Sequence, residues 1–148
     1  MAEIVTLTPN PAIDLSTSID RVVPMRKLRC TAQRRDPGGG GVNVARVVKR
    51  FGGDVEAVFP IGGMTGQLLR RLVDDERIPN RVIEVEAETR EDFSVTELST
   101  THQYRFVLPG LPLRESEWRG CLDALAATQP RPKFIVGSGS LPPGVPND

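Results

Sequence analysis

At 148 residues the chain has the length of one average domain with a buried core. Its 19 basic and 19 acidic residues cancel, so no net field draws it to nucleic acid or to an anionic membrane. No apolar run approaches the roughly 20 residues that span a bilayer, no signal-type segment follows Met1, and Cys30 and Cys121 form neither a metal-ligand spacing nor a disulfide framework. Free thiols in a cytoplasmic chain are the expectation.

In chain order, Ile4-Val5-Thr6-Leu7-Thr8 is short, β-branched and stopped by Pro9, as a buried strand should be. Residues 15–36 are polar, contain Pro24 and lack helical spacing. Val44, Val47, Val48 and Phe51 then recur at helical spacing, with Arg46, Lys49 and Arg50 opposite and Gly52-Gly53 as the stop. A strand over 55–59 follows, and a helix from about Gly66 turns Leu68, Leu69, Leu72 and Val73 inward. Residues 93–108 read as antiparallel instead, with Tyr104, Phe106 and Leu108 on one face and Arg105 on the other. Trp118, Cys121, Leu122 and Leu125 predict a third helix, and 134–136 a last strand.

This alternation predicts an α/β fold, a parallel sheet wrapped by helices, with residues 15–36 and 93–108 as excursions into a small accessory sheet. The loop over 137–144 leads to no further helix. A fold cut between elements is expected, with an uncovered sheet face that favours self-association.

Three motifs carry chemistry. Asp36-Pro37-Gly38-Gly39-Gly40-Gly41-Val42-Asn43 runs into a helix start, where glycines let backbone approach a ligand and the positive dipole end faces it. No G-K-[ST] follows, and Asn43 stands where the dinucleotide fingerprint needs its third glycine, so neither nucleotide motif is present. A site for an anion or a hydroxyl-rich sugar remains. The second motif, Thr8 to Asp14, places a carboxylate beyond the carboxyl end of the first strand, where open α/β sheets hold ligands and where it can accept two sugar hydroxyls. The third, Ser138 to Gly144, lies at the carboxyl end of the last strand. Lys27, Arg29 and Arg90 are candidates to clamp a phosphate. His102, the only histidine, receives no role.

These stretches, together with Lys27 through Ala32, Gly62-Gly63, Thr65-Gly66 and Gln103 through Phe106, resemble the ribokinase-like (PfkB) carbohydrate kinases, nearest to their minor-type ATP-dependent 6-phosphofructokinases. The resemblance covers essentially the whole chain and implies the N-terminal part of one ribokinase-like domain: a doubly wound parallel sheet with a β-sheet lid at about 15–36 and 93–108. It implies a kinase that uses ATP and Mg2+ to phosphorylate the 1-hydroxyl of fructose 6-phosphate. Tagatose 6-phosphate or fructose 1-phosphate, or a non-catalytic sugar-phosphate-binding or dimerisation module, are the alternatives. Asp14 resembles the group that holds sugar hydroxyls, Gly38, Gly39, Gly40, Gly41 and Asn43 the sugar-binding loop, Lys27 and Arg90 the phosphate contacts, and Ser138 and Ser140 the pocket wall. A homodimer through the lid is implied as well. The family's nucleotide site and catalytic base belong to a G-A-G-D motif that nothing in this sequence matches, so both are expected beyond residue 148.

Overall fold

The computed structural model describes residues 2–31 and 33–147. Along it run β1 (Ile4–Leu7), β2 (Ala12–Ile19), β3 (Arg34–Gly38), α1 (Gly40–Arg50), β4 (Val55–Ile61) and α2 (Gly63–Asp75), then β5 (Asn80–Glu84), β6 (Arg90–Glu97), β7 (Gln103–Phe106), α3 (Glu115–Ala126) and β8 (Phe134–Gly137).

Four strands make a parallel sheet in the order β5-β4-β1-β8. Parallel strands need cover on both faces, and alternation along β4 divides that cover. Val55, Ala57, Phe59 and Ile61 join Val42 and Ala45 of α1 and Leu69 and Val73 of α2 in one core. On the opposite face Arg81 of β5 reaches α3, donating to the Ala124 carbonyl at 2.6 Å while pairing with Glu56. Cys121 is the buried residue of α3, and burial, followed by the charge of Glu117, pushes its thiol up to about 11. Such a thiol is unreactive at neutral pH.

The helices arise where the spacing predicts, with one change of face. In α1 the buried residues are Gly41, Val42 and Ala45, whereas Val47 is 50% and Phe51 88% exposed. The first turn of α1 is pinned between the ends of β1 and β8, and that anchor sets the rotation of the helix. The periodicity of Val44, Val47, Val48 and Phe51 cannot report it. Strand β5 was not predicted. Its residues are all partly or fully exposed, so it lacks the apolar run of a buried strand.

A second sheet, of order β3-β2-β6-β7, is mixed: β2 pairs antiparallel with β3 and parallel with β6, and β6 pairs antiparallel with β7. It begins at Ala12, so Asp14 lies within a strand rather than in the loop after β1. Phe93 and Phe106 stack on it with ring centroids 6.1 Å apart.

Candidate functional site

The site forms where the carboxyl ends of β1 and β8 meet the start of α1. Leu7 accepts the Ser138 N–H at 3.1 Å, and the Ser138 carbonyl accepts the Gly41 N–H at 3.0 Å. The buried Thr8 hydroxyl accepts the Val42 N–H at 2.7 Å. Two first-turn amides of α1 are therefore bonded to protein rather than free for a ligand, as the glycine motif alone would suggest. The glycines are needed for closeness. A Cβ on Gly41 would stand 2.5 Å from both the Leu7 carbonyl oxygen and Thr8 Oγ1, and Gly39 has a φ of +107° that side chains rarely adopt. Gly40 lies against Ser138.

Gly38, the last residue of β3, lies beneath Asp14, where a Cβ would meet the carboxylate at 2.6 Å. The register places Asp14 of β2 between Asp36 of β3 and Asp92 of β6, so three carboxylates share one face in one row. Asp36 is neutralised by Arg34 at 2.7 Å and Arg46 at 3.2 Å. Burial alone would push its carboxyl up, but the hydrogen bond and charge of Arg34, then those of Arg46, hold it below the usual range. The Asp14 carboxylate accepts no hydrogen bond among the described residues. Burial, then the negative charge of Asp92, raises its carboxyl above the ordinary value against the opposing pull of Arg105 and Arg90. It is a carboxylate with free lone pairs, held where hydroxyl donors would satisfy it.

Arg90 stands at the start of β6 with its side chain 10% exposed. Its Nη1 donates to both oxygens of Asp92 at 2.8 and 2.9 Å and to the Leu108 carbonyl at 2.7 Å. Nη2 donates to the Asn10 carbonyl at 3.2 Å, and Nε is buried without a partner. The Asn10 amide donates to the Pro109 carbonyl at 3.0 Å and to Ser140 Oγ at 3.1 Å. An open cavity of about 850 Å³ is lined by Asn10, Arg90, Leu108 and Ser140 among others.

Asp14, the glycine run, Ser138, Ser140 and Arg90 are thus brought to one end of the sheets. Asn43 is exposed on α1, its Oδ1 accepting from Arg46 at 3.4 Å. Lys27 is not joined to them: it is exposed on the β2–β3 connection, without an ion pair or hydrogen bond among the described residues. Asn10 and Asp92 were missed as site residues. Each left a trace in the sequence: Asn10 is a polar residue set between Pro9 and Pro11 at a strand end, and Asp92 follows Arg90 at the two-residue spacing that shares a strand face.

A parallel sheet packed by helices but open at its edge strand β8, where Phe134 and Ile135 are exposed as the uncovered face expected from the sequence, with a glycine-run helix start and a cavity at its carboxyl ends, defines an α/β protein of the doubly wound class. The chain belongs to the pfkB family carbohydrate kinases, whose family model matches residues 5–148. It is 54% identical over 98% of its length to the ATP-dependent 6-phosphofructokinase isozyme 2 of Mycobacterium tuberculosis, covering 43% of that protein. With the isozyme 2 of Escherichia coli the identity is 42% and the coverage 47% of that protein. The crystal structure of Escherichia coli phosphofructokinase-2 in complex with fructose-6-phosphate superposes with a TM-score of 0.92 over 99% of this chain and 48% of that one. The chain therefore spans under half the length of these relatives.

Proposed function

We propose that this chain supplies the acceptor-sugar side of an ATP-dependent 6-phosphofructokinase, whose whole active site transfers a phosphoryl group from MgATP to the 1-hydroxyl of fructose 6-phosphate. The observation that carries this reading is the Asp14 carboxylate, without a hydrogen-bond donor among the described residues and seated against Gly38, in an open cavity that it lines with Asp92 and Arg105. Asp14 and the glycine run orient the sugar hydroxyls. Arg90 meets the phosphate already on the sugar, and Ser138 and Ser140 wall the pocket. Phosphoryl transfer depends on such positioning together with charge around the transferred group. Among the described residues no group of three or more His, Cys, Asp or Glu is placed to hold a metal ion. Kinases for other sugar phosphates resemble the chain less: a tagatose-6-phosphate kinase of Staphylococcus epidermidis is 31% identical.

Calorimetric titration of fructose 6-phosphate into the full-length gene product tests the reading. Saturable binding is expected, and Asp14→Asn should weaken it about tenfold or more, as losing a charged acceptor does. Because the folded state raises the Asp14 pKa, this group favours folding at acid pH and opposes it once pH rises through the folded pKa. Asp14→Asn should then melt no lower than the wild type at pH 7 while binding less sugar, a trade of function against stability. Preference for another sugar phosphate would overturn the substrate. Binding of none would overturn the site.

The second sheet fits the role of a lid whose outer face seats a second copy. Tyr104 is 38% and Phe106 55% exposed beside Phe93, an apolar group of the kind that marks association surfaces. Phe93→Ser with Phe106→Ser should shift the protein toward monomer in light scattering. An unchanged mass would remove this sheet from the interface. No helix among the described residues is long and apolar enough to cross a membrane.

A further inference from the structure

Resting on the sugar-phosphate reading of the site, one residue outside the sugar-binding set controls two inside it. The side chain of Asp92 is 16% exposed. Both its oxygens accept from Arg90 Nη1, and Oδ1 also accepts the Leu108 N–H at 3.0 Å. Arg90 in turn donates to the Leu108 carbonyl at 2.7 Å. The backbone of Leu108 is thereby clasped at both its donor and its acceptor by a single ion pair. The next residues are held as well, since Pro109 accepts from Asn10, the same side chain that reaches Ser140.

With Nη1 and one Nη2 hydrogen engaged, the guanidinium cannot turn; Nε is buried without an acceptor, and the second Nη2 hydrogen has no partner among the described residues. An incoming acceptor oxygen at the exposed edge of Arg90 would meet that fixed Nη2 donor in a charge-assisted hydrogen bond. On its other flank Asp92 stands level with Asp14 in the strand register. The charged groups that act on Asp14 are Asp36 from β3, Asp92 and Arg90 from β6, and Arg105 from β7.

We propose that Asp92 is the positioning residue of this site: it locks Arg90 and the Leu108 backbone into the geometry that receives the sugar phosphate, and its charge tunes Asp14 across the strand pair. Asp92 lines the same cavity as Asp14, but its carboxylate is taken up by Arg90 and the Leu108 amide. Its effect passes through Arg90 to the phosphate and through electrostatics to Asp14.

The experiment compares fructose 6-phosphate and unphosphorylated fructose as ligands across pH for the wild type, Asp92→Asn and Asp92→Glu of the full-length gene product. Asp92→Asn should weaken fructose 6-phosphate binding about tenfold or more and leave weak fructose binding nearly unchanged. Read with fructose, which carries no titrating phosphate, the acid limb of binding follows Asp14, whose carboxylate is the binding form, so affinity falls as pH drops through its raised pKa. Removing the Asp92 charge lowers that pKa, and the limb should move to lower pH. Asp92→Glu keeps the charge and should leave the limb in place while losing affinity, because the longer side chain misplaces Arg90. Mere loosening of the fold would weaken both ligands and leave the limb where it is. Unchanged affinity in Asp92→Asn, or an unmoved or raised limb, overturns the proposal. Should Asp92→Asn not fold, wild-type affinity in Asp92→Glu overturns it. A wild type that binds no sugar phosphate would refute the functional reading itself, a separate outcome.

Discussion

Replacing Gly41 by alanine is expected to destabilise the protein by about 2–4 kcal/mol and to abolish sugar-phosphate binding at concentrations that saturate the wild type. The added methyl would sit 2.5 Å from the Leu7 carbonyl oxygen and 2.5 Å from Thr8 Oγ1. The first of these is backbone in the middle of the parallel sheet, held on either side by β4 and β8, and has no route to yield. The second is the acceptor for the Val42 amide at 2.7 Å. Relief of the clash must therefore either break that buried hydrogen bond or lift α1 off the end of β1. Lifting α1 would also separate the Gly41 amide from the Ser138 carbonyl, a contact of 3.0 Å that ties α1 to the β8 loop. Glycine here is a matter of space, because Gly41 is helical. Chemical denaturation, read beside a titration with fructose 6-phosphate, measures both effects. A Gly41→Ala protein with wild-type midpoint and affinity would show that the helix start is not seated as described.

Phe59→Ala should cost about 3–5 kcal/mol, the range for removing a large aromatic ring from a closed core. Phe59 is fully buried at the centre of β4 and belongs to the cluster formed with Val42, Ala45, Leu69 and Val73. Its ring fills the space where α1 and α2 meet the sheet, and parallel strands leave their neighbours little freedom to collapse into the void. Against a typical total stability of about 5–15 kcal/mol, a loss of that size is a large share. Phe51→Ala is the internal control. That ring is 88% exposed at the end of α1, so its removal should change stability by no more than about 0.5 kcal/mol. Guanidinium melts with a shared m-value separate the two. Equal losses would mean that α1 is rotated toward the face its valine periodicity suggests.

That contrast marks where reading the chain by itself stops. Element type was legible because it follows from local chemistry: β-branched residues stopped by Pro9 make β1, and Gly52-Gly53 ends α1. The α/β class follows from strands alternating with helices, and the demand for backbone space at Gly38–Gly41 from four glycines before a helix start. The rotation of α1 was not legible, since it depends on Gly41 and Val42 being bonded to Ser138 and Thr8, partners 97 and 34 residues away along the chain. β5 escaped because an edge strand buries too little to require an apolar run. Asp14 was visible as a carboxylate near a strand end, but its charge state was not. Only strand register sets Asp36 and Asp92 on either side of it, and only the packed Arg90–Asp92 pair decides which donor of the arginine remains free. Local pattern encodes what each segment can form. Register, burial and long-range charge, which depend on contacts distant in the chain, decide what the site can do.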